Sequence, residues 1–188
     1  MTKTKRLLSL FLFCAVAISA ALALDYPLAK PQIASNAGKP APDFVLKDQD
    51  GKDFRLADQK GSKVLIVFYR GHWCPYCMMQ LKDLAENKTK FDKLNVKIVA
   101  ISVDTAEMGR KVWEGAAHKQ FTVLTDPELR VIRAYGLFQE KGINKTDVAI
   151  RTSVLVDEKG IEVFRRISKT AADYPTSEEL LERIAGSK

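Results

Sequence analysis

The sequence is poor in cysteine and histidine, and this scarcity restricts the metal chemistry that it can support. Its 188 residues contain three cysteines and two histidines. A structural zinc site needs four ligands, and the sequence has no second cysteine pair that could complete one. A c-type haem site needs a histidine directly after a Cys-x-x-Cys pair, and Met78 stands there instead. We therefore expect no metal and no cofactor.

Low-complexity segments and segregated charge are also missing. Glycine, proline and serine are not in excess, which argues against a long disordered region. Lysine and arginine are scattered among acids and form no basic stripe interleaved with aromatic residues, so we expect no binding to nucleic acid. Apolar residues make up 46% of the chain, which is enough for one packed core.

The N-terminus has the pattern of a secretory signal peptide over residues 1–23. Basic residues near the start precede an uncharged apolar run that ends in Ala21-Leu22-Ala23, with small residues at the two positions that a signal peptidase reads. The run has about the minimum length of a membrane span, so an uncleaved anchor is the alternative. We expect export to the periplasm or secretion, an extended leader at 24–38 and one domain at 39–188.

Two cysteines remain after such cleavage, and their spacing favours reactivity over stabilisation. The loop closed by Cys74 and Cys77 is too short to remove much denatured-state entropy, and a buried inert pair is the alternative. Pro75 suits the first turn of a helix, so Cys74 is predicted at a helix N-terminus, where the dipole favours a thiolate. Cys77 can then attack a sulfur bonded to Cys74 and close a disulfide. This chemistry requires a Cys74 sulfur that is ionisable and reachable from solvent.

The residues before the cysteine pair are candidates for binding the substrate. Arg70 adds positive charge if its side chain turns towards Cys74. His72 is either a local acid or base or a solvent-facing loop histidine. Trp73 is interpreted as a packing group that shields the site. Together with Gly71, these residues form the predicted substrate-binding segment.

Hydrophobic patterning predicts an α/β protein. An Asp-Gly turn between two short alternating segments predicts an N-terminal β-hairpin. The apolar run 64–69 predicts a central buried strand, followed by the helix that carries the cysteines. Strands and helices then alternate, which implies a mixed central sheet with helices on both faces. The later predicted strands lie at 96–103, 121–124, 148–156 and 161–167, and the later predicted helices at 105–119, 126–135 and from 176 or 177 to about 185.

Several of these segments resemble the thioredoxin-like redoxin families, which include the alkyl hydroperoxide reductase/thiol-specific antioxidant group, the peroxiredoxins. The resemblance is carried by Ala41–Leu46, by Asp50-Gly51 and by Val64–Cys77, and it covers roughly residues 39–167. Within it, Arg70–Cys77 is similar to a peroxiredoxin-like branch with a Cys-Pro-Tyr-Cys centre. The resemblance implies a thioredoxin-like fold with an N-terminal hairpin extension.

The same resemblance implies a reaction and partners. It makes Cys74 the peroxidatic cysteine, oxidised to a sulfenic acid by a hydroperoxide, and Cys77 the resolving cysteine. Arg151 enters a strand where peroxiredoxins carry an arginine facing the cysteine, so it is predicted to hold the thiolate and polarise the peroxide. An external donor, either a thioredoxin-like protein or a small thiol, regenerates the thiols. Peroxiredoxins often dimerise, so a homodimer is compatible with the resemblance.

Two departures keep other functions open. Peroxiredoxins typically carry Thr or Ser where this chain has Gly71, and Pro where it has Val67. Either another group, such as His72 or Tyr69, replaces the missing hydroxyl, or the peroxidase activity is weak. The Cys-x-x-Cys centre is also typical of thiol–disulfide oxidoreductases with a disulfide substrate. Those enzymes usually have a cis-proline near residues 142–151, where this chain has no proline, and this absence favours a peroxidase. A non-enzymatic binding module with a relict thiol pair is the third hypothesis.

Overall fold

The structure is a computed structural model that describes residues 36–142, 145–170 and 172–186. The predicted signal peptide at 1–23 and residues 24–35 of the predicted leader lie outside the described residues. No helix within the described ranges is long and apolar enough to cross a membrane.

A mixed eight-stranded sheet organises the described part of the chain, in the order β1-β10-β9-β4-β5-β6-β2-β3. Strands β4, β5 and β6 are parallel, and the other neighbours pair antiparallel. A separate two-stranded ribbon joins β7 and β8. The strands are β1 (Lys39–Pro40), β2 (Val45–Asp48), β3 (Asp53–Arg55), β4 (Lys63–Phe68), β5 (Val96–Ser102), β6 (Thr122–Thr125), β7 (Phe138–Gln139), β8 (Val148–Ala149), β9 (Thr152–Val156) and β10 (Ile161–Ile167). The helices are α1 (Pro75–Glu86), α2 (Lys88–Asp92), α3 (Ala106–Glu114), α4 (Arg130–Ala134) and α5 (Ser177–Gly186), with a 3₁₀ turn at Leu56–Gln59.

Strand β4 lies between two hydrophobic clusters because its side chains alternate between the faces of the sheet. Leu65 and Val67 join the cluster covered by α1 and α5, whereas Ile66 and Phe68 join the cluster on which α4 packs. All four residues are fully buried. The predicted mixed sheet with helices on both faces is therefore confirmed, as is the hairpin of β2 and β3.

The last helix is held by the capping residues that its sequence suggests. Thr176 Oγ1 accepts a hydrogen bond from the Glu179 amide at 3.2 Å, and Glu179 Oε2 accepts one from the Thr176 amide at 2.8 Å. These reciprocal bonds form a capping box. Asp83 Oδ2 of α1 accepts the Ser177 amide at 2.6 Å, which ties α5 to the helix that carries the cysteines.

Three predicted boundaries were wrong. The segment 148–156 forms two strands, β8 and β9, rather than one. Before Thr152 the chain pairs away from the main sheet, because the Ile150 amide donates to the Leu137 carbonyl at 2.7 Å. The helix predicted to reach Lys119 ends at Glu114. The helix predicted at 126–135 covers only Arg130–Ala134, because Leu129 has a left-handed backbone with φ of 60°. The short elements β1, β7 and α2 were not predicted.

Candidate active site

The cysteine pair lies where β4 leads into α1, as the sequence predicts. Cys74 is the N-cap of α1 and Pro75 is its first residue, so the chain turns sharply from the loop into the helix. Cys74 and Cys77 form a disulfide with their Cα atoms 5.2 Å apart. The Cys77 amide donates to Cys74 Sγ at 3.3 Å. The N-terminus of α1 thus presents a backbone N–H donor and the positive end of the helix dipole to Cys74 Sγ.

Both cysteines of the disulfide are buried. Cys74 is 3% exposed and Cys77 is 0% exposed, and both belong to the cluster under α1 and α5. Trp73 and Met78 pack against the same cluster, and the shielding role of Trp73 stays a prediction. In the disulfide form only a small part of Cys74 therefore reaches the surface. The solvent access to Cys74 that the chemistry requires is therefore narrow in this form.

A buried carboxylate holds the loop that precedes the pair. Asp104 Oδ2 accepts hydrogen bonds from the His72 amide at 2.8 Å and from Ser102 Oγ at 2.9 Å. Asp104 Oδ1 lies 2.7 Å from His72 Nδ1. The imidazole is 44% exposed while the carboxylate is 4% exposed. If Nδ1 donates to the carboxylate, the accepting nitrogen of a neutral ring is Nε2.

The position of Gly71 has no room for a side chain. A Cβ atom there would lie 2.8 Å from Trp73 Nε1 and 3.1 Å from Asp104 Oδ1. The indole and the carboxylate thus fill the space that a threonine or serine would use. This packing accounts for glycine where the resemblance leads one to expect a hydroxyl residue.

Tyr69, the other candidate for replacing that hydroxyl, is fully buried in the cluster that contains both cysteines. Burial, assisted by the charge of Asp104, raises the pKa of Tyr69 far above its usual value. The phenol is therefore neutral at physiological pH. Of the two candidates, only His72 is substantially exposed.

Arg151 lies beside the helix of the cysteine pair. Phe68 pairs with Thr152, which places Arg151 at the end of β4 from which the chain runs to the cysteines. Arg151 Nη2 donates to Gln80 Oε1 of α1 at 3.2 Å. Gln80 is three residues after Cys77, so both occupy the same buried face of the helix. The guanidinium also lies 5.3 Å from the ring centre of Tyr174.

Arg70 and Arg151 bring two positive charges to one end of the sheet. Arg151 is buried, and burial together with the nearby charge of Arg70 lowers the pKa of Arg151. Both side chains line a cavity of about 350 Å³. The positive charge of Arg70 therefore lies at this cavity, and its predicted turn towards Cys74 stays a prediction.

Sequence reasoning missed the roles of Asp104 and Gln80 in this site. Asp104 is not the cap of the following helix, because Thr105 fills that role by accepting the Met108 amide at 3.4 Å. Parallel strands present their carboxyl ends at one edge of a sheet, and ligands commonly bind there. That rule places Asp104, just after β5, near His72, just after β4. Gln80 carried no comparable signal.

Comparisons with known proteins agree with this geometry. The AhpC/TSA family model matches residues 37–163. Peroxiredoxin Bcp of Escherichia coli is 34% identical over 143 residues, which cover 75% of this chain and 88% of that one. The thiol-disulfide oxidoreductase ResA of Bacillus thuringiensis is 30% identical over 147 residues, which cover 78% of each chain. The crystal structure of Peroxidoxin BcpB from Mycobacterium tuberculosis has a TM-score of 0.71 at 21% identity and covers 81% of this chain and 98% of that chain.

The solved structure establishes the thioredoxin-like fold, and the sequence matches establish kinship. Because the family match spans more than half of the chain and includes the cysteine pair, the chain belongs to the AhpC/TSA family, as a peroxiredoxin-like protein of the thioredoxin fold.

Proposed function

We propose that this thiol peroxidase reduces hydroperoxides at Cys74 and resolves the product with Cys77. The Cys74 thiolate attacks the distal peroxide oxygen, the O–O bond breaks, and the departing alkoxide takes a proton to become an alcohol. Cys74 is then a sulfenic acid. Cys77 attacks its sulfur, which forms the Cys74–Cys77 disulfide and releases water. The disulfide at the start of α1 is the observation that carries the proposal.

The helix start supports Cys74 as the attacking residue. Its sulfur accepts the Cys77 amide and lies at the positive end of α1, both of which favour a thiolate. Cys74 is also the more exposed of the two cysteines. Cys77, fully buried one turn further along, is suited to an intramolecular second step.

We assign Arg151 the electrostatic role in the first step. Its guanidinium is held between Gln80 on α1 and the Tyr174 ring, so little reorganisation is needed when charge develops at the reacting atoms. The cation stabilises the Cys74 thiolate and the oxygen that departs. A buried arginine with fixed partners is better suited to this role than a mobile surface side chain.

Rapid mixing of the reduced full chain with hydrogen peroxide tests this assignment. Arg151→Gln is expected to slow oxidation by about 10²–10³, the usual cost of one preorganised electrostatic contact. Arg130→Gln is the matched control, because Arg130 is exposed and pairs only with surface Glu128 among the described residues. Wild-type thiols lost no faster than those of free cysteine would refute the peroxidase assignment.

We assign His72 the proton transfer that the missing hydroxyl would otherwise assist. Asp104 fixes one imidazole nitrogen, and the half-exposed ring presents the other to a substrate. His72→Asn is expected to slow peroxide oxidation by about a hundredfold, the lower range for a general acid. His118→Asn is the control: His118 has a left-handed backbone, with φ of 47°, which asparagine also tolerates. Equal rates for both variants would exclude this role.

The external reductant is proposed to be a thioredoxin-like protein, with small thiols as slower donors. Tyr76, between the two cysteines, and Met79, two residues after Cys77, are 39% and 54% exposed. A groove of about 540 Å³ runs alongside, with Met78, Val112 and Ala116 in its lining. Met79→Glu is expected to slow reduction by thioredoxin and to leave reduction by dithiothreitol unchanged. Equal slowing by both donors would argue against docking on this surface.

Export and dimerisation remain proposals that rest on sequence. The pattern at residues 1–23 supports export, and cell fractionation with mass analysis of the N-terminus tests it. A full-length cytoplasmic product would contradict it. The proposed homodimer is tested by sedimentation of the purified protein in both redox states, and a monomer at all concentrations would contradict it.

Thiol–disulfide exchange is the second candidate function. It is favoured by the Cys-x-x-Cys disulfide and by the 30% identity to a thiol-disulfide oxidoreductase. Reduction of insulin or glutathione disulfide, abolished by Cys74→Ser, would support it. Fast peroxide oxidation without turnover of either disulfide would leave the peroxidase as the sole activity of the pair.

A further inference from the structure

A positively charged cavity adjoins the segment that leads to the cysteines. It has a volume of about 350 Å³, and Arg70 and Arg151 are among the residues that line it. Lys169 contributes a third positive charge, and Ser168 and Thr170 contribute hydroxyl groups. Ile150 gives the lining an apolar part.

No acidic side chain balances these charges in the lining formed by the described residues. Asp173 acts on Arg151 from nearby, but its carboxylate is engaged by Arg166 and by the Lys169 amide at 2.7 Å. The side chain of Arg70 has two buried nitrogens, Nε and Nη1, without a hydrogen-bond partner in the described structure. Buried charged donors in this state are costly, and an anion would offset that cost.

The cysteine thiolates do not fill this cavity. Neither Cys74 nor Cys77 is among the described residues that line the cavity. Arg70 lies two residues after β4, and Arg151 reaches α1 through Gln80, so the cavity adjoins the cysteine site. The anion is therefore expected to come from a bound molecule.

A carboxylate matches the donors that are present. Guanidinium groups pair with carboxylates through short charge-assisted hydrogen bonds. We propose that the cavity between Arg70, Arg151 and Lys169 binds the carboxylate group of an organic hydroperoxide, so that the substrate is an anionic hydroperoxide rather than a neutral one. The substrate part of this inference rests on the proposed peroxidase function, whereas the binding site itself does not.

Binding is tested on the oxidised full chain, in which the disulfide removes both thiolates. Propionate is titrated by NMR or calorimetry, and propionamide is the neutral probe of the same shape. Arg70→Gln and the exposed Lys169→Gln are each expected to weaken propionate binding about tenfold, the scale of one charged hydrogen bond. Arg130→Gln is the control for loss of charge. Equal affinity for propionate and propionamide, or equal weakening by Arg130→Gln, would overturn the site.

The source of the carboxylate is tested by rates. The reduced protein is mixed with linoleic acid hydroperoxide or with its methyl ester, and the oxidised protein with mercaptopropionate or with its methyl ester. We expect the acid hydroperoxide to react about tenfold faster than its ester, with this ratio falling towards one in Lys169→Gln. If only mercaptopropionate, and not the acid hydroperoxide, reacts faster than its ester, the substrate assignment is overturned and the carboxylate belongs to the reductant. Propionate binding without any peroxide reaction would leave the site intact and refute the peroxidase function.

Discussion

Gly71 offers a sharp test of how the site is built. Peroxiredoxins typically carry threonine or serine at this place, so Gly71→Thr would raise the peroxidase rate if the site had room for the restored hydroxyl. The structure predicts the opposite. The first side-chain carbon would lie 2.8 Å from Trp73 Nε1 and 3.1 Å from Asp104 Oδ1, and neither neighbour can move without disturbing the cysteine cluster or His72.

The magnitude follows from these contacts. Adding atoms to a packed site costs about 1–3 kcal/mol, so Gly71→Ala should lower the free energy of unfolding by that amount. Gly186→Ala is the matched control, because a Cβ on Gly186 meets nothing within 4 Å. We expect that control to change stability by less than about 0.5 kcal/mol in urea unfolding of the oxidised protein.

The activity of Gly71→Thr completes the test. Displacement of Asp104 disturbs His72, so the rate of oxidation by hydrogen peroxide should fall below that of the wild type. A Gly71→Thr protein that unfolds at the wild-type urea concentration and reacts faster with peroxide would refute the reasoning.

Three further predictions concern the scaffold. Glu162→Gln should destabilise the protein by about 3–5 kcal/mol in urea unfolding, because it leaves the buried guanidinium of Arg165 without its bidentate charged partner. Thr176→Ala should cost about 1 kcal/mol in the same assay through loss of the α5 cap, and an unchanged midpoint would contradict the capping box. Arg166 lowers the pKa of Asp173 to about 2, so Asp173 contributes stability that is present above about pH 4 and is lost as the pH falls through about 2. The wild type should exceed Asp173→Asn by about 1 kcal/mol at about pH 6, with a gap that closes in acid, because the partly exposed pair is screened by solvent.

Local patterns account for the parts of the fold that could be predicted. The uninterrupted apolar run of β4 has no polar face, which is the mark of a strand covered on both sides. The position of Cys74 at a helix start follows from Pro75 and from the helical spacing after it. Thr176 marks the start of α5 for the same kind of local reason.

Tertiary contacts decided what could not be predicted. His72 meets Asp104 from 32 residues away, and Arg151 meets Gln80 from 71 residues away. Local sequence patterns indicate neither pairing: the first follows only once β4 and β5 are known to be parallel neighbours, and the second has no comparable signal. The break between β8 and β9 has no mark in the sequence, because both strands are buried and hydrophobic periodicity does not reveal that they pair with different partners.

The central claim is that a peroxide oxidises Cys74 first and that Cys77 only resolves the product. The most direct test traps the sulfenic acid with dimedone in reduced Cys77→Ser and in reduced Cys74→Ser after brief exposure to hydrogen peroxide, with peptide mass spectrometry to locate the adduct. The account predicts rapid labelling of Cys74 in the first variant and labelling of Cys77 in the second no faster than that of free cysteine. Equal or faster labelling of Cys77 would contradict it.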